Sequence, residues 1–213
     1  MLLGTARLLL GPVLATLWRV HLIHADRIPD ESLVVACNHI SWRDPPLLEA
    51  VYPRPIFFMA KKELFEKRAN TWLLHQLGAF PVDRSRADLK AIKQALRLLK
   101  EGQCIGIFFE GTRNKGPDLL EAKRGVAMLA IQSHRRILPI AAATSSSGQL
   151  AKQTFIVGNA FDPNELYTDS REAWYDRVAT RVQSDVRDLL RSESPAPRID
   201  HRRCPRLESE KRP

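Results

Sequence analysis

The sequence is poor in the residues that build disulfide frameworks and metal centres. Its 213 residues include three cysteines, and none of them forms a Cys-x-x-Cys pair or a cluster with histidine. Protein zinc sites need such spacings, so no metal is expected. An odd number of cysteines without a framework favours a reducing compartment, and we therefore expect a cytoplasmic location.

The N-terminal region lacks an apolar run long enough to cross a bilayer. Its uncharged stretch from Leu8 to Trp18 would span about 16 Å as a helix, against a hydrocarbon core of about 30 Å. No small-x-small cleavage site follows it, which disfavours a signal peptide. A helix in the membrane interface and a helix packed on the protein's own core fit this segment equally well. We expect residues 1–24 to form an amphipathic, membrane-associating helix.

Acidic residues are outnumbered by basic ones, 24 to 33, which gives a formal net charge of +9. This balance favours an anionic partner such as acidic lipid headgroups, a phosphorylated substrate or nucleic acid. A basic nucleic-acid-binding module is the weaker alternative, because the sequence has no recognition-helix motif or aromatic-rich strand pair. Residues 192–213 combine prolines and charges with almost no large apolar side chains, and we expect a disordered basic tail.

Short apolar runs alternate with helix-like segments over residues 25–191, which we expect to form one catalytic domain. Leu33 to Cys37 and Cys104 to Phe109 are continuous apolar runs typical of buried strands. The alternation predicts an α/β fold with a central mixed sheet flanked by helices. Further strands are expected at 56–59, 80–82, 137–143 and 154–157, and helices at 45–51, 70–77, 85–101, 122–131 and 170–191.

The segment Asn38-His39-Ile40-Ser41-Trp42-Arg43-Asp44 follows a predicted buried strand and precedes a helix start. A turn there can fold the Asp44 carboxylate onto the His39 imidazole, where it would hold one ring N–H and leave the other nitrogen free as a base. Taken alone, the pattern fits a structural role slightly better, with His39 capping the turn and Asp44 capping the helix. A serine hydrolase built on Ser41 is disfavoured, because no G-x-S-x-G motif is present. We expect Ser41 to stabilise the turn.

The N-H-x-x-x-x-D segment resembles the signature of the glycerolipid acyltransferase family, and of its bacterial 1-acylglycerol-3-phosphate acyltransferases in particular. Further blocks resemble family motifs in the right order, and several ordered motifs are far more specific than one. The resemblance covers about residues 30 to 145. The matching blocks are Ala60-Lys61-Lys62-Glu63-Leu64-Phe65, Gly78-Ala79-Phe80-Pro81-Val82-Asp83-Arg84, Phe108-Phe109-Glu110-Gly111-Thr112-Arg113 and Leu138-Pro139-Ile140.

The resemblance implies an O-acyltransferase in which His39 is the general base and Asp44 orients it. The implied reaction moves a fatty acyl group from acyl-CoA or acyl-carrier protein to the sn-2 hydroxyl of 1-acylglycerol-3-phosphate, giving phosphatidate. A different lysophospholipid or an amino-lipid hydroxyl is the alternative acceptor within the family. No bound cofactor is implied, since the acyl thioester is a co-substrate. The implied location is the cytoplasmic face of the cell membrane, peripheral or monotopic, on an anionic surface.

The resemblance also implies a phosphate-binding set on the acceptor side. Arginine suits bidentate phosphate binding and lysine supplies a point charge. We expect Glu110 to hold Arg113 or Thr112 in place. The sequence departs from the family at Phe109, where proline is usual. The implied phosphate-binding residues are Arg84, Arg113 and Lys61, and the implied supporting loop residues are Asn38, Ser41, Glu110, Gly111 and Thr112.

Overall fold

A seven-stranded sheet organises the chain. The structure, a computed structural model, describes residues 11–83, 88–114, 116–144 and 152–193. The strands follow the order β1-β7-β6-β2-β5-β3-β4, and every neighbouring pair is parallel except the antiparallel β6 and β7. The strands are β1 (His21–Ile23), β2 (Val34–Cys37), β3 (Ile56–Lys61), β4 (Ala79–Val82), β5 (Cys104–Phe108), β6 (Ile137–Thr144) and β7 (Gln153–Val157).

Helices cover both faces of this sheet, so the predicted α/β fold with a mixed sheet is confirmed. Apolar side chains alternate between the two faces, as the period of two in a strand requires. In β2, Val34 and Ala36 face a core shared with α4, α5 and α6, whereas Val35 and Cys37 face a core shared with α2. The helices are α1 (residues 11–17), α2 (Asp44–Val51), α3 (Arg68–Gln76), α4 (Leu89–Lys100), α5 (Gly125–Ser133) and α6 (Arg171–Glu193).

The parallel strands β2, β3, β4 and β5 bring their carboxyl ends to the same edge of the sheet. Cys37 is paired with Phe108, and Lys61 is paired with Val82. The loops that leave these four strands therefore meet at one edge. Ligands of open α/β sheets usually bind at this edge.

The prediction that one helix extends to residue 24 is wrong at its C-terminal end. The described helical residues end at 17, and His21–Ile23 form β1, which pairs in parallel with β7. The free edge of β7 supplies hydrogen-bond partners for this segment, and Val20 and Leu22 pack against the α2-side core. Residues 1–10 and 194–213 lie outside the described part of the chain.

The described turns of α1 pack on the protein core on one side and are exposed on the other, and association of this helix with a membrane stays a prediction. Leu14 and Trp18 pack against the α2-side core. Val13 and Leu17 are more than half exposed. Among the described helices, none has the length and apolar character needed to cross a membrane.

The observed helix starts lie one to four residues from the predicted ones, and α2 and α4 show why. Helix α2 begins at Asp44 itself, with Arg43 as its N-cap, because the Asp44 carboxylate is bound by the preceding turn. Helix α4 begins at Leu89 rather than at residue 85. The Asp88 carboxylate caps α4 by accepting hydrogen bonds from the backbone N–H groups of Lys90 and Ala91. These two bonds satisfy donors that the first helical turn leaves without partners.

Candidate active site

The turn between β2 and α2 is organised by a single carboxylate oxygen. Asp44 Oδ2 accepts hydrogen bonds from His39 Nδ1 at 2.9 Å, from the Ile40 backbone N–H at 2.8 Å and from the Ser41 backbone N–H at 2.7 Å. Asp44 is fully buried at the first residue of α2, where the helix dipole favours a negative charge. The turn thus folds the carboxylate onto the imidazole, as the sequence predicts.

His39 has one ring nitrogen engaged and a small exposed fraction. Its Nδ1 faces Asp44, and its side chain is 12% exposed. Because the carboxylate accepts from Nδ1, the imidazole carries its proton there when neutral, and Nε2 holds the free lone pair. Within the described residues, Nε2 has no hydrogen-bond partner. The ring also stacks on Phe108, with 4.0 Å between centroids.

Glu110 fixes the backbone on which His39 is mounted. Its carboxylate is buried, and Oε2 accepts from the His39 backbone N–H at 3.1 Å. Oε1 accepts from Asn114 Nδ2 at 3.2 Å and from the Leu120 backbone N–H at 2.9 Å. The expectation that Glu110 holds Arg113 or Thr112 is therefore wrong, because its oxygens bind His39, Asn114 and Leu120. Glu110 therefore links the loop after β5 to the turn that carries His39.

Asn114 completes the attachment of His39. Its backbone N–H donates to the His39 carbonyl oxygen at 2.7 Å, while its side-chain amide donates to Glu110. Both backbone groups of His39 are therefore bound by the 110–114 loop. Sequence reasoning missed Asn114, because the pairing depends on the register of β2 against β5 rather than on local spacing.

Asn38 acts as an extension of the sheet. Its amide nitrogen donates to the Ala142 carbonyl oxygen at 3.0 Å, and its amide oxygen accepts from the Ala142 N–H at 2.6 Å. The buried side chain thus makes the two bonds that a backbone partner of β6 would make. This contact supports the sequence assignment of Asn38 to the loop that carries the site.

The two candidate nucleophiles near His39 are poorly suited to covalent catalysis. The Ser41 hydroxyl accepts two long hydrogen bonds from Arg43, at 3.3 Å from the backbone N–H and 3.4 Å from Nε, which fits the expected role in the turn. Burial, together with the nearby carboxylates of Asp44 and Glu110, raises the pKa of the Cys37 thiol well above its usual value. At neutral pH the Cys37 thiol is therefore protonated and a poor nucleophile.

The candidate phosphate-binding residues are only partly described. Lys61 ends β3 and Arg113 lies in the loop after β5, so both stand at the carboxyl edge of the sheet. Both side chains are exposed, and neither makes a hydrogen bond or ion pair with another described residue. Arg84 lies outside the described residues. The neighbouring Lys62 instead binds Asp83, with 2.7 Å between Nζ and Oδ2.

The remaining loop residues follow from backbone geometry. Gly111 has a φ of +73°, a left-handed conformation that a side chain would strain. Thr112 is exposed. Phe109 is buried in the core with α4, α5 and α6, and its N–H donates to the Cys37 carbonyl oxygen at 3.2 Å. Proline at this position could not donate that bond.

Comparison with known proteins identifies the family and the fold. The acyltransferase family profile matches residues 19–143, more than half of the chain. The chain belongs to the acyltransferase family, and the expectation that it is an enzyme of this family is confirmed. A crystal structure of the 1-acyl-sn-glycerophosphate acyltransferase from Thermotoga maritima has the same fold, with a TM-score of 0.65 and 23% identity over 87% of this chain and 82% of that one.

Curated relatives share the family and differ in the acceptor that they are named for. A 1-acyl-sn-glycerol-3-phosphate acyltransferase from Streptococcus pneumoniae is 31% identical over 84% of this chain and 70% of its own length. One from Bacillus subtilis is 36% identical over 61% of this chain and 65% of its own length. A lyso-ornithine lipid O-acyltransferase from Pseudomonas aeruginosa is 28% identical over 62% of this chain and 50% of its own length.

Proposed function

We propose that this enzyme transfers a fatty acyl group from an acyl thioester to the sn-2 hydroxyl of 1-acylglycerol-3-phosphate, with His39 as the general base. The hydrogen bond between His39 Nδ1 and Asp44 Oδ2 carries this proposal. It fixes the tautomer that leaves Nε2 as the proton acceptor, and it lies at the sheet edge where the basic residues Lys61 and Arg113 also stand.

The proposed reaction needs one proton transfer in each direction. His39 Nε2 removes the proton of the acceptor hydroxyl as its oxygen attacks the thioester carbonyl carbon. The carbon–sulfur bond then breaks, and the imidazolium returns the proton to the leaving thiolate. The Asp44 carboxylate stabilises the imidazolium between these steps. No covalent acyl-enzyme is required, which agrees with the protonated thiol of Cys37.

The exposed basic residues support a phosphorylated acceptor. Arg113 has five N–H donors that can reach two phosphate oxygens at once, and Lys61 adds a positive charge. Neither side chain is engaged by the described residues around it, so neither needs to release a protein partner before it binds the acceptor. Arg84 is assigned to the same acceptor phosphate by motif resemblance alone.

A second acceptor class is favoured by one comparison. The relative from Pseudomonas aeruginosa is named for an ornithine lipid, whose headgroup lacks a phosphate. An acceptor panel separates the two proposals. Purified protein is incubated with an acyl-CoA and either 1-acylglycerol-3-phosphate or lyso-ornithine lipid, and the diacyl product is measured. A faster reaction with the phosphate-free acceptor would contradict the assignment of Lys61 and Arg113.

The donor is proposed to be acyl-CoA or acyl-carrier protein, both of which offer the same thioester. Parallel assays with acyl-CoA and with acylated carrier protein, each with 1-acylglycerol-3-phosphate, measure which donor gives the higher kcat/KM. Release of free thiol in a one-to-one ratio to phosphatidate is expected with the productive donor. Thiol release without acceptor acylation would indicate a thioesterase and contradict the proposal.

We also propose that the enzyme works on the cytoplasmic face of the cell membrane, attached peripherally or monotopically. Three observations support membrane attachment: exposed Val13 and Leu17 on α1, exposed Trp42 beside the catalytic pair and a net charge of +9. Aromatic and basic side chains suit the interface of an anionic bilayer. Co-sedimentation with vesicles that contain phosphatidylglycerol, compared with phosphatidylcholine vesicles, tests it. If the protein bound both kinds of vesicle equally, or bound neither, an anionic membrane surface would not be its partner.

A further inference from the structure

Three near-parallel rings at the carboxyl edge of the sheet connect the core to the catalytic imidazole. The Phe108 ring stacks on His39, with 4.0 Å between centroids and 22° between planes. The Phe58 ring stacks on Phe108, with 5.6 Å between centroids and 17° between planes. The three rings come from neighbouring parts of the sheet. Phe58 lies in β3, Phe108 ends β5 and His39 lies in the turn after β2.

A glycine makes this stack possible. Gly106 is buried in β5 and pairs directly with Phe58 across β3 and β5. A Cβ on Gly106 would meet three atoms of the Phe58 ring, including Cδ1 at 2.6 Å, whereas carbon atoms pack at about 3.5 to 4.0 Å. Any side chain at position 106 would therefore displace the Phe58 ring.

The stack supplies a restraint that the carboxylate alone does not. The bond from Asp44 fixes which ring nitrogen is held and how far it lies from Oδ2. It leaves the imidazole free to rock about the hydrogen-bond direction, which moves Nε2. A planar aromatic contact across the ring face opposes that rocking, because stacked rings lose contact area when they tilt.

We propose that Phe108 is a positioning residue for His39, and that Phe58 and Gly106 set the position of Phe108. The inference rests on the proposed role of His39 as general base. Phe108 touches no substrate in this account. It acts by holding Nε2 where the acceptor hydroxyl arrives, so its loss should lower kcat while leaving the KM values for both substrates nearly unchanged.

The first test compares a planar with a non-planar replacement. Phe108→Leu keeps an apolar side chain and removes the ring face, whereas Phe108→Tyr keeps the face. We expect Phe108→Leu to lower kcat on the order of tenfold, the scale of one aromatic contact, with both KM values within about twofold. Phe108→Tyr should keep most of the parent's kcat. Equal losses in both variants would overturn the proposal.

The neighbouring phenylalanine is a matched control. Phe109 is buried on the opposite face of the sheet among α4, α5 and α6. Phe109→Leu should lower the melting temperature and leave kcat of the remaining folded enzyme near the parent value. A kcat loss equal to that of Phe108→Leu would show that general loosening of β5, rather than the ring contact, causes the effect.

The second test uses the glycine. Gly106→Ala should push Phe58 into Phe108 and lower both kcat and the melting temperature. Adding Phe58→Leu to Gly106→Ala should recover much of the melting temperature, because the crowding is relieved, without restoring kcat. A Gly106→Ala variant with the parent's kcat and melting temperature would contradict the proposed role of Gly106.

A spectroscopic readout separates this proposal from the proposed function. In histidine-labelled protein, Phe108→Leu should move the His39 ring-proton resonances downfield, because a stacked ring shields them, whereas Phe109→Leu should not. If His39→Ala loses activity but Phe108→Leu keeps full kcat, the positioning role is wrong and the proposed function stands. If His39→Ala keeps full turnover, both fail, whatever the resonances show.

Discussion

Two parts of the carboxyl edge of the sheet differ in how much of their bonding is already complete. The turn at 38–44 is closed by bonds to the buried Asp44 carboxylate. Glu110 and Asn114 tie this turn to the loop at 110–114 through the backbone of His39. The basic side chains of Lys61 and Arg113 stand at the same edge, exposed and without a bond to another described residue. One part is already bonded within the protein, and the other is, in the proposed function, completed by the anionic acceptor.

This contrast is what the proposed chemistry requires. A general base gains most when its position and tautomer are fixed in advance, since no reorganisation is then needed during the reaction. A binding site for a charged headgroup gains most when its donors are not already used by the protein. Variants of the assembled part should therefore change kcat, and variants of the exposed part should change the KM for the acceptor.

The largest effect is expected for Asp44→Asn. If the amide oxygen takes the place of Oδ2, it can still accept the bonds from His39, Ile40 and Ser41. The charge that stabilises the imidazolium is lost. The new NH2 group also takes the buried position of Oδ1, which has no hydrogen-bond partner among the described residues. We expect kcat to fall by about 10² or more, measured as acyl transfer at saturating substrates.

The control for this variant is Asp30→Asn, since the Asp30 side chain is 99% exposed and precedes the opposite end of β2. It should leave kcat unchanged. If Asp44→Asn also kept the parent's kcat while folded, the assembled part would have no catalytic role.

A smaller loss of kcat is expected for Glu110→Gln. The glutamine amide cannot accept all of the N–H groups that the Glu110 carboxylate accepts. Both carboxylate oxygens accept N–H groups, so either orientation of the amide places a donor against a donor. An unsatisfied buried donor costs about 1–3 kcal/mol, which thermal unfolding should show as a lower melting temperature. We also expect kcat to fall by about tenfold, since a displaced His39 backbone misplaces its ring. An unchanged melting temperature would contradict the bonding assigned to Glu110.

Arg113→Ala should affect binding rather than turnover. A charge-assisted hydrogen bond contributes about 1.5–3 kcal/mol, so the KM for 1-acylglycerol-3-phosphate should rise by at least about tenfold. kcat and the KM for the thioester should change little. Arg97→Ala, at the far end of α4 where Arg97 pairs with Glu101, is the matched control. A fall in kcat at unchanged KM would place Arg113 in the assembled part instead.

The smallest effect is expected for Ser41→Ala. Among the described residues, the Ser41 hydroxyl accepts two long hydrogen bonds, both from Arg43, and hydrogen bonds are weak at such distances. Since the backbone N–H that binds Asp44 is kept, we expect kcat to change by less than about threefold. Complete loss of turnover in a folded variant would instead indicate a serine nucleophile.

Much of the turn at 38–44 could be predicted from the sequence, because the residues in contact lie close together along the chain. His39 and Asp44 lie within one turn, so their contact follows from a short polar segment between a strand and a helix start. The α/β class followed similarly from continuous apolar runs such as 33–37 and 104–109. Gly111 was assigned to the supporting loop by motif resemblance, and its φ of +73° explains why a glycine suits this turn.

The rest depends on contacts that no local pattern specifies. Phe108 and Asn114 reach His39 only because β5 lies beside β2 in one register, about 70 residues away along the chain. The strand at 21–23 was missed because its pairing partner β7 lies more than 130 residues further on. Helix α4 was predicted to start at Ser85 by its capping pattern, whereas Asp88 is the residue that caps the helix.

The most direct test compares acyl transfer by the parent enzyme with transfer by His39→Ala, with His21→Ala on the edge strand as control. The rate of phosphatidate formation from an acyl-CoA and 1-acylglycerol-3-phosphate is measured for all three proteins after circular dichroism confirms that each is folded. We predict that His39→Ala loses at least about 10² in kcat, the scale of a lost general base, and that His21→Ala keeps the parent's rate. A folded His39→Ala variant that turns over at the parent's rate would contradict the account.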